Sequence, residues 1–301
     1  MSAARPPEGA RHRCPQGEGT LPRPLLLADV IKEVHSLPSL PALVLDLLAS
    51  LEDAEVEVDV LARKIVLDQV LTARTLRVAN SSFYGRQRKV ATIHEAISVL
   101  GLHGLRNLAL TATLMDRLAG GDGDRFCFSV FWRHAIGAAL CARALAARTG
   151  LNREQAYTAG LLHDIGRLVL ATRFHGAYDA VSTYRKRQDC RVVDAESVVL
   201  GLDHAMVGEA LARHWQLPEF VQQAVAHHHA LPAFGTHPMA LVVHVADALT
   251  HGLNLSGDAA DMVPSLAACT WDRLGLDAEM LGEVLVEVEA QFEAACSVLG
   301  S

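Results

Sequence analysis

From about Leu25 onward, apolar residues recur three and four positions apart, with abundant Ala and Leu and little sustained alternation. That period is the signature of amphipathic helices, and it leaves no place for a parallel sheet. Residues 41–51 read as a helix with proline in its first turn and Ser39 as a candidate cap. Short amphipathic segments follow at 58–66 and 70–80, with turn signals at Asn80-Ser81-Ser82, Gly85 and Gly101. The sharpest break in composition is Gly120-Gly121-Asp122-Gly123-Asp124, a run that favours turns over helix. It separates an expected N-terminal helical lobe, residues 25–119, from a second helical lobe, residues 125–253. In the second lobe the pattern predicts longer helices over 128–149, 153–174, 194–216, 218–229 and 238–252. A C-terminal extension, residues 254–301, carries a last helix over 278–298 with an acidic outer face.

With 301 residues, half of them hydrophobic, the chain can bury a substantial core. No apolar run reaches the roughly 20 residues that span a bilayer. Residues 1–24 are rich in Pro, Gly and Arg and lack the apolar stretch of a secretory signal. They read as a disordered tail, and the protein as cytoplasmic. Six cysteines are scattered without close pairs, which disfavours a zinc ribbon or a disulfide framework. A net charge of -7 argues against a broad nucleic-acid footprint. The basic runs at 86–89 and 185–187 read as solvated surface or loop.

The fifteen histidines change the picture, because several fall among apolar neighbours where an unpaired imidazole is costly. His163 and Asp164 stand side by side in an apolar stretch, and Asp247 is surrounded by apolar residues. His228 and His229 close a helix just before Pro232, while His134 and His204 lie on further helices. Each alone reads as a hydrogen-bonded core or surface residue. Together, five imidazoles and two carboxylates supply the donors of a two-metal site, with Asp164 as the bridge. A water between two such ions is a nucleophile suited to phosphoester hydrolysis. From spacing alone, a metal site and a set of bonded core histidines both fit.

The order His134, His163-Asp164, His204, His228-His229, Asp247 resembles the signature of the HD superfamily. In the first lobe, Leu37-Pro38-Ser39-Leu40-Pro41, the stretch from Leu67 to Ala79-Asn80-Ser81-Ser82-Phe83-Tyr84-Gly85, and the stretch from Thr92 to Gly101 resemble the HDOD module. The resemblance covers residues 26–253. It implies an all-α fold in which an N-terminal lobe packs on an HD-type lobe. It also implies a signal-transduction output protein, regulatory rather than catalytic, that works through protein or small-ligand binding. The implied partners are response regulators or cyclic-dinucleotide enzymes, with a nucleotide as a candidate ligand and neither nucleic acid nor membrane. The implied cofactors are one or two divalent ions (Fe, Mn or Zn) on the seven residues above.

The full ligand set sustains an alternative, a metal-dependent phosphohydrolase acting on a nucleotide or cyclic dinucleotide. Two departures from the related HD-GYP phosphodiesterases weigh against it: no Gly-Tyr-Pro loop follows His229, and Arg167 stands where they carry lysine. Arg167 can still hold a phosphate bidentately, and its plainer reading is a surface salt bridge. Val130 occupies the place of an extra carboxylate, so at most two ions are expected. His227 reads as a spare beside the matched pair. His175, His214, His237, His244 and His251 match no motif position and read as structural.

Overall fold

The computed structural model describes residues 23–51, 58–80, 89–118, 126–231 and 235–299. The expected tail through residue 22, the Gly/Asp break at 120–124, Ser81–Gly85 and the basic residues 86–88 lie outside the described residues. Among those described, the periodicity resolves into helices and no strand. They are α1 (Leu27–Ser36), α2 (Ala42–Ala49), α3 (Val58–Val66), α4 (Gln69–Ala79), α5 (Ile93–Leu118), α6 (Phe128–Arg148), α7 (Arg153–Leu162) and α8 (Ile165–Arg173). After these come α9 (His175–Gln188), α10 (Val192–Leu200), α11 (His204–His214), α12 (Glu219–His227), α13 (Pro238–Gly252), α14 (Cys269–Leu274) and α15 (Ala278–Leu299).

Three local expectations are corrected. Pro41, not Ser39, precedes α2, and no side chain caps it. The single helix expected over 153–174 is two, α7 and α8, broken at His163 and Asp164. The helix expected over 194–216 is also two. Gly201 ends α10 at φ 75°, and Asp203 caps α11 by accepting the Met206 N–H. The basic run at 185–187 forms the last turn of α9. Arg185 there is no solvated residue: it donates to Asp258 Oδ2 at 2.7 Å and to the Ala260 carbonyl. Part of the acidic face of α15 pairs with α6 while two of its glutamates, Glu283 and Glu293, stay exposed. Arg148 on α6 reaches Glu283 (3.0 Å) and Glu287 (2.9 Å), and Arg133 meets Glu293 through both terminal nitrogens.

The main core joins Val30 and Val34 of α1, Leu110 and Leu114 of α5, Phe131 and Leu145 of α6, Val207 and Leu211 of α11, and Val288 of α15. Smaller clusters, one around Leu47, Ile65 and Leu105 and another around Val78, Val90 and Leu100, belong to the first lobe alone. The N-terminal lobe therefore sits on the second lobe through α1, α2 and the end of α5. Polar contacts fix the seam: Trp215 Nε1 donates to the Pro38 carbonyl and His214 Nε2 to that of Leu37, both at 3.1 Å. No helix among the described residues is long and apolar enough to cross a membrane.

Candidate metal centre

The break between α7 and α8 places the doublet. Asp164 occupies the N-cap position of α8, where an aspartate ordinarily accepts a backbone N–H, yet its side chain makes no capping bond. The carboxylate turns into the protein instead, and the helix N-terminus behind it favours its negative charge. Gly166, two residues on, lets α8 press against α11. A Cβ there would stand 1.9 Å from the His204 carbonyl oxygen. Gly160 does the same between α7 and α6, where a Cβ would meet the Ala138 carbonyl at 2.7 Å. These approaches draw His134, His163, Asp164 and His204 to one point.

All seven residues expected from the sequence converge there. Asp164 Oδ1 faces His204 Nε2 at 3.0 Å and His163 and His228 Nε2 at 3.5 Å, while Oδ2 lies 3.7 Å from His134 Nε2. Asp247 Oδ1 faces His134 Nε2 at 3.1 Å and His163 Nε2 at 3.6 Å. Nε2 atoms also approach one another: His134 and His163 at 3.2 Å, His204 and His228 at 3.3 Å, His204 and His229 at 2.8 Å. His134, His163, Asp164, His204, His228 and Asp247 are buried, and His229 is partly so.

The outer ring nitrogens explain these inward contacts. His163 Nδ1 donates to the Gly160 carbonyl at 2.7 Å, and His228 Nδ1 to that of Val225 at 2.9 Å. His204 Nδ1 bonds the carboxylate of fully buried Glu196. A carbonyl can only accept, so His163 and His228 carry a proton on Nδ1 and, when neutral, present a bare lone pair on Nε2. Lone pairs crowded together in a dry interior repel unless a cation sits among them. Asp164 Oδ1 and Asp247 Oδ1 are also buried without an aligned hydrogen-bond donor. Two orphaned carboxylate oxygens ringed by tautomer-fixed imidazoles fit a divalent ion, with ring nitrogens tied from behind as metal-ligating histidines usually are. Two donor groups share Asp164: one is Asp164, His204, His228 and His229, and the other His134, His163 and Asp164.

Electrostatics agree. Burial opposes ionisation of Asp164, but His163, His204 and Arg167 hold its carboxyl well below the usual range. Burial is likewise outweighed at Asp247 by His251, His134 and His163. Burial penalises charge on His204, yet Glu196 and Asp164 push it up to about 10. Burial together with His228 and His204 drives His229 well below its ordinary value. Protons on some imidazoles thus stand in for cationic charge while others are kept neutral.

Arg167 lies beside the cluster, and its salt bridge is internal: Nη1 contacts Asp164 Oδ2 at 2.8 Å with the side chain 14% exposed. His227 ends α12 outside the donor groups. His244 is satisfied on both nitrogens, Nδ1 donating to the His228 carbonyl at 2.6 Å and Nε2 accepting from Ala267 N–H at 3.1 Å. Two residues of the cluster escaped the sequence reading. Glu196 carried no distinct signal, because Asp194 and Ser197 stand beside it on α10 and the pattern does not tell the buried carboxylate from the one that pairs with Arg191. His251 did carry one, because it lies four residues after Asp247 and so on the same face of α13. Its Nε2 stands 3.2 Å from Asp247 Oδ1.

A helical lobe that gathers a His/Asp cluster in this order defines an HD-type protein with a preceding helical lobe. More narrowly, the chain belongs to the HDOD family, whose domain model matches residues 37–231. A crystal structure of an HDOD domain protein of unknown function from Geobacter sulfurreducens is similar, with 27% identity, coverage of 91% of this chain and 98% of that one, and a TM-score of 0.74. A candidate signal transduction protein from Marinobacter aquaeolei VT8 is 25% identical over 94% of this chain and 63% of its own, with a TM-score of 0.77. An uncharacterised protein of Treponema pallidum is 27% identical over 209 residues, and the match spans 69% of this chain but only 40% of that protein.

Proposed function

We propose that this chain is a signal-transduction output module whose HD-type cluster holds one or two divalent ions (Fe, Mn or Zn) and whose helical lobes engage signalling proteins. The kinds of partner that suit it are response regulators and cyclic-dinucleotide enzymes. The observation that carries regulation over turnover is the size of the space against the cluster. The cavity lined by His134, Arg167, His229, Asp247 and His251 measures about 40 Å³, and the one adjoining it along Phe131 and Tyr178 about 210 Å³. Pockets that bury small-molecule ligands measure roughly 300–1,000 Å³. The cations at the mouth are also engaged, Arg167 by Asp164 and Arg185 by Asp258. The ions then brace the HD-type lobe. The likeness to the Marinobacter signal transduction protein supports the same reading.

One observation favours a second reading, a metal-dependent phosphohydrolase acting on a nucleotide or cyclic dinucleotide. The donor set is complete, with Asp164 common to both groups. Two ions there would supply Lewis acidity toward a phosphoester. Arg167 would orient a phosphate, Glu196 would hold the His204 ring, and the walls would limit water.

The test is elemental mass spectrometry on untagged protein purified without chelators, comparing wild type with Asp164→Ala and His204→Ala, followed by nucleotide and cyclic-dinucleotide turnover assays on the loaded protein. Near-stoichiometric metal lost in the variants, without turnover, is the expected result. Turnover that needs the metal would replace the regulatory reading with the second one. Folded wild type that refuses iron, manganese and zinc would overturn the metal centre.

A further inference from the structure

One imidazole at the centre has no assignment in the family order. His251 sits one turn beyond Asp247 on α13, and its Nε2 lies 3.2 Å from Asp247 Oδ1. Its ring centroid is 4.6 Å from that of His134. His134, Asp247 and His251 offer donor atoms within 4.8 Å of one another. Behind the ring, Nδ1 donates to Asp261 Oδ1, and Asp261 Oδ2 accepts from Ser256 Oγ at 3.0 Å. That carboxylate fixes the tautomer and turns Nε2 toward the centre, the same arrangement that Glu196 gives His204. His251 differs from the other rings in position. Its side chain is 17% exposed against 0% for His163, so it stands on the cavity side of the cluster.

We infer that His251 is an eighth ligand of the centre, joining His134 and Asp247 on the first ion, and that Asp261 with Ser256 is the device that positions its ring. The inference rests on the reading that the cluster holds divalent ions, and deepens it. His251, Ser256 and Asp261 lie beyond residue 231, where the family match ends, as Asp247 does. The chemical consequence concerns the class of cation. His134 belongs both to the group with His163 and Asp164 and to the one with Asp247 and His251, so His251 raises to three the imidazoles on the first ion's side of the centre, beside His204, His228 and His229 on the other. Imidazole-rich donors suit iron or zinc, whereas oxygen-dominated sites suit magnesium or calcium.

The experiment uses the full chain loaded with Zn²⁺ and desalted, with metal counted by elemental mass spectrometry and affinity measured by competition with a chelator. Circular dichroism checks the fold of each variant. Wild type is expected to hold two ions, His251→Ala one, and His229→Ala the other one. Asp261→Asn should keep both ions, with the affinity for one lowered about 10- to 100-fold, as loss of a carboxylate behind a ligating histidine does. Anomalous diffraction from loaded crystals should place His251 Nε2 about 2.0–2.1 Å from zinc. Two ions of unchanged affinity in His251→Ala, or a loaded structure in which Nε2 contacts only Asp247, overturns this proposal alone. Wild type that takes up no ion overturns the centre and this proposal with it.

Discussion

Replacing Gly166 with alanine tests whether the α8–α11 approach builds the centre. A Cβ at 166 would lie 1.9 Å from the His204 carbonyl oxygen, 2.6 Å from Gly208 N and 2.9 Å from the His204 carbonyl carbon. All three are backbone atoms, so no flexible side chain can yield, and the helices have to separate by roughly an ångström to restore ordinary packing. Overpacking of this kind costs typically about 1–3 kcal/mol, and contact with backbone places it near the top of that range. Helix propensity acts the other way, favouring alanine by up to about 1 kcal/mol. The net expectation is a loss of about 2 kcal/mol, or a fall in Tm of roughly 3–4 °C for a chain of this size. The separation also exceeds the tolerance of about 0.2 Å in metal–ligand distances. Affinity for the ion shared by Asp164 and His204 should therefore fall at least tenfold. Gly282→Ala, on α15 with nothing within 4 Å of the added carbon, is the control and should be neutral or stabilising. Thermal melts and metal counts on both variants decide the matter. A Gly166→Ala protein as stable as wild type with both ions in place would refute the reasoning.

Three more outcomes are expected. Glu196→Gln removes the carboxylate behind His204 Nδ1 and should weaken metal binding about 10- to 100-fold while the fold survives, as read by chelator competition. Asp203→Ala removes the cap of α11 and should cost about 1 kcal/mol in chemical denaturation. In metal-free protein His204 and His251 are raised to about 10, each by neighbouring carboxylates that overcome burial. A raised pKa gives stability that is complete below the unfolded value of about 6.5 and is lost as pH climbs through the folded one. The Tm of chelated protein should thus fall between about pH 6.5 and 10. Loaded protein should resist that fall, because there the ion takes the place of the protons, and loading at pH 8 should release protons in a pH-stat. A flat alkaline profile in the chelated protein would contradict the assigned shifts.

The helical class and the donor residues were legible because each carries a local mark: 3.6-residue periodicity for the fold, and polar residues stranded in apolar runs for the centre. The break at His163 and Asp164 was not legible. Ala156 through Leu162 and most of α8 are buried on every side, so the apolar pattern runs through the joint, and the two nearby glycines, Gly160 and Gly166, lie inside the helices rather than at the break. The α10–α11 break did carry a written signal, Gly201 followed by a capping Asp203. His251 is legible only from its helical spacing to Asp247, since it has no place in the motif order. The tethering of Arg185 to the 258–260 turn could not be read from a basic run, since its partners lie some seventy residues away.

The donors are also ordered in time. His134, His163 and Asp164 have all been synthesised by residue 164 and Asp164, His204, His228 and His229 by residue 229, whereas the group of His134, Asp247 and His251 waits for residue 251. A chain emerging from its N-terminus therefore completes two cradles before the third exists. Since His134 is common to an early group and the late one, an ion taken up early would orient the ring that the late group needs. Closure of α13 over α6 would then follow the first uptake of metal rather than precede it.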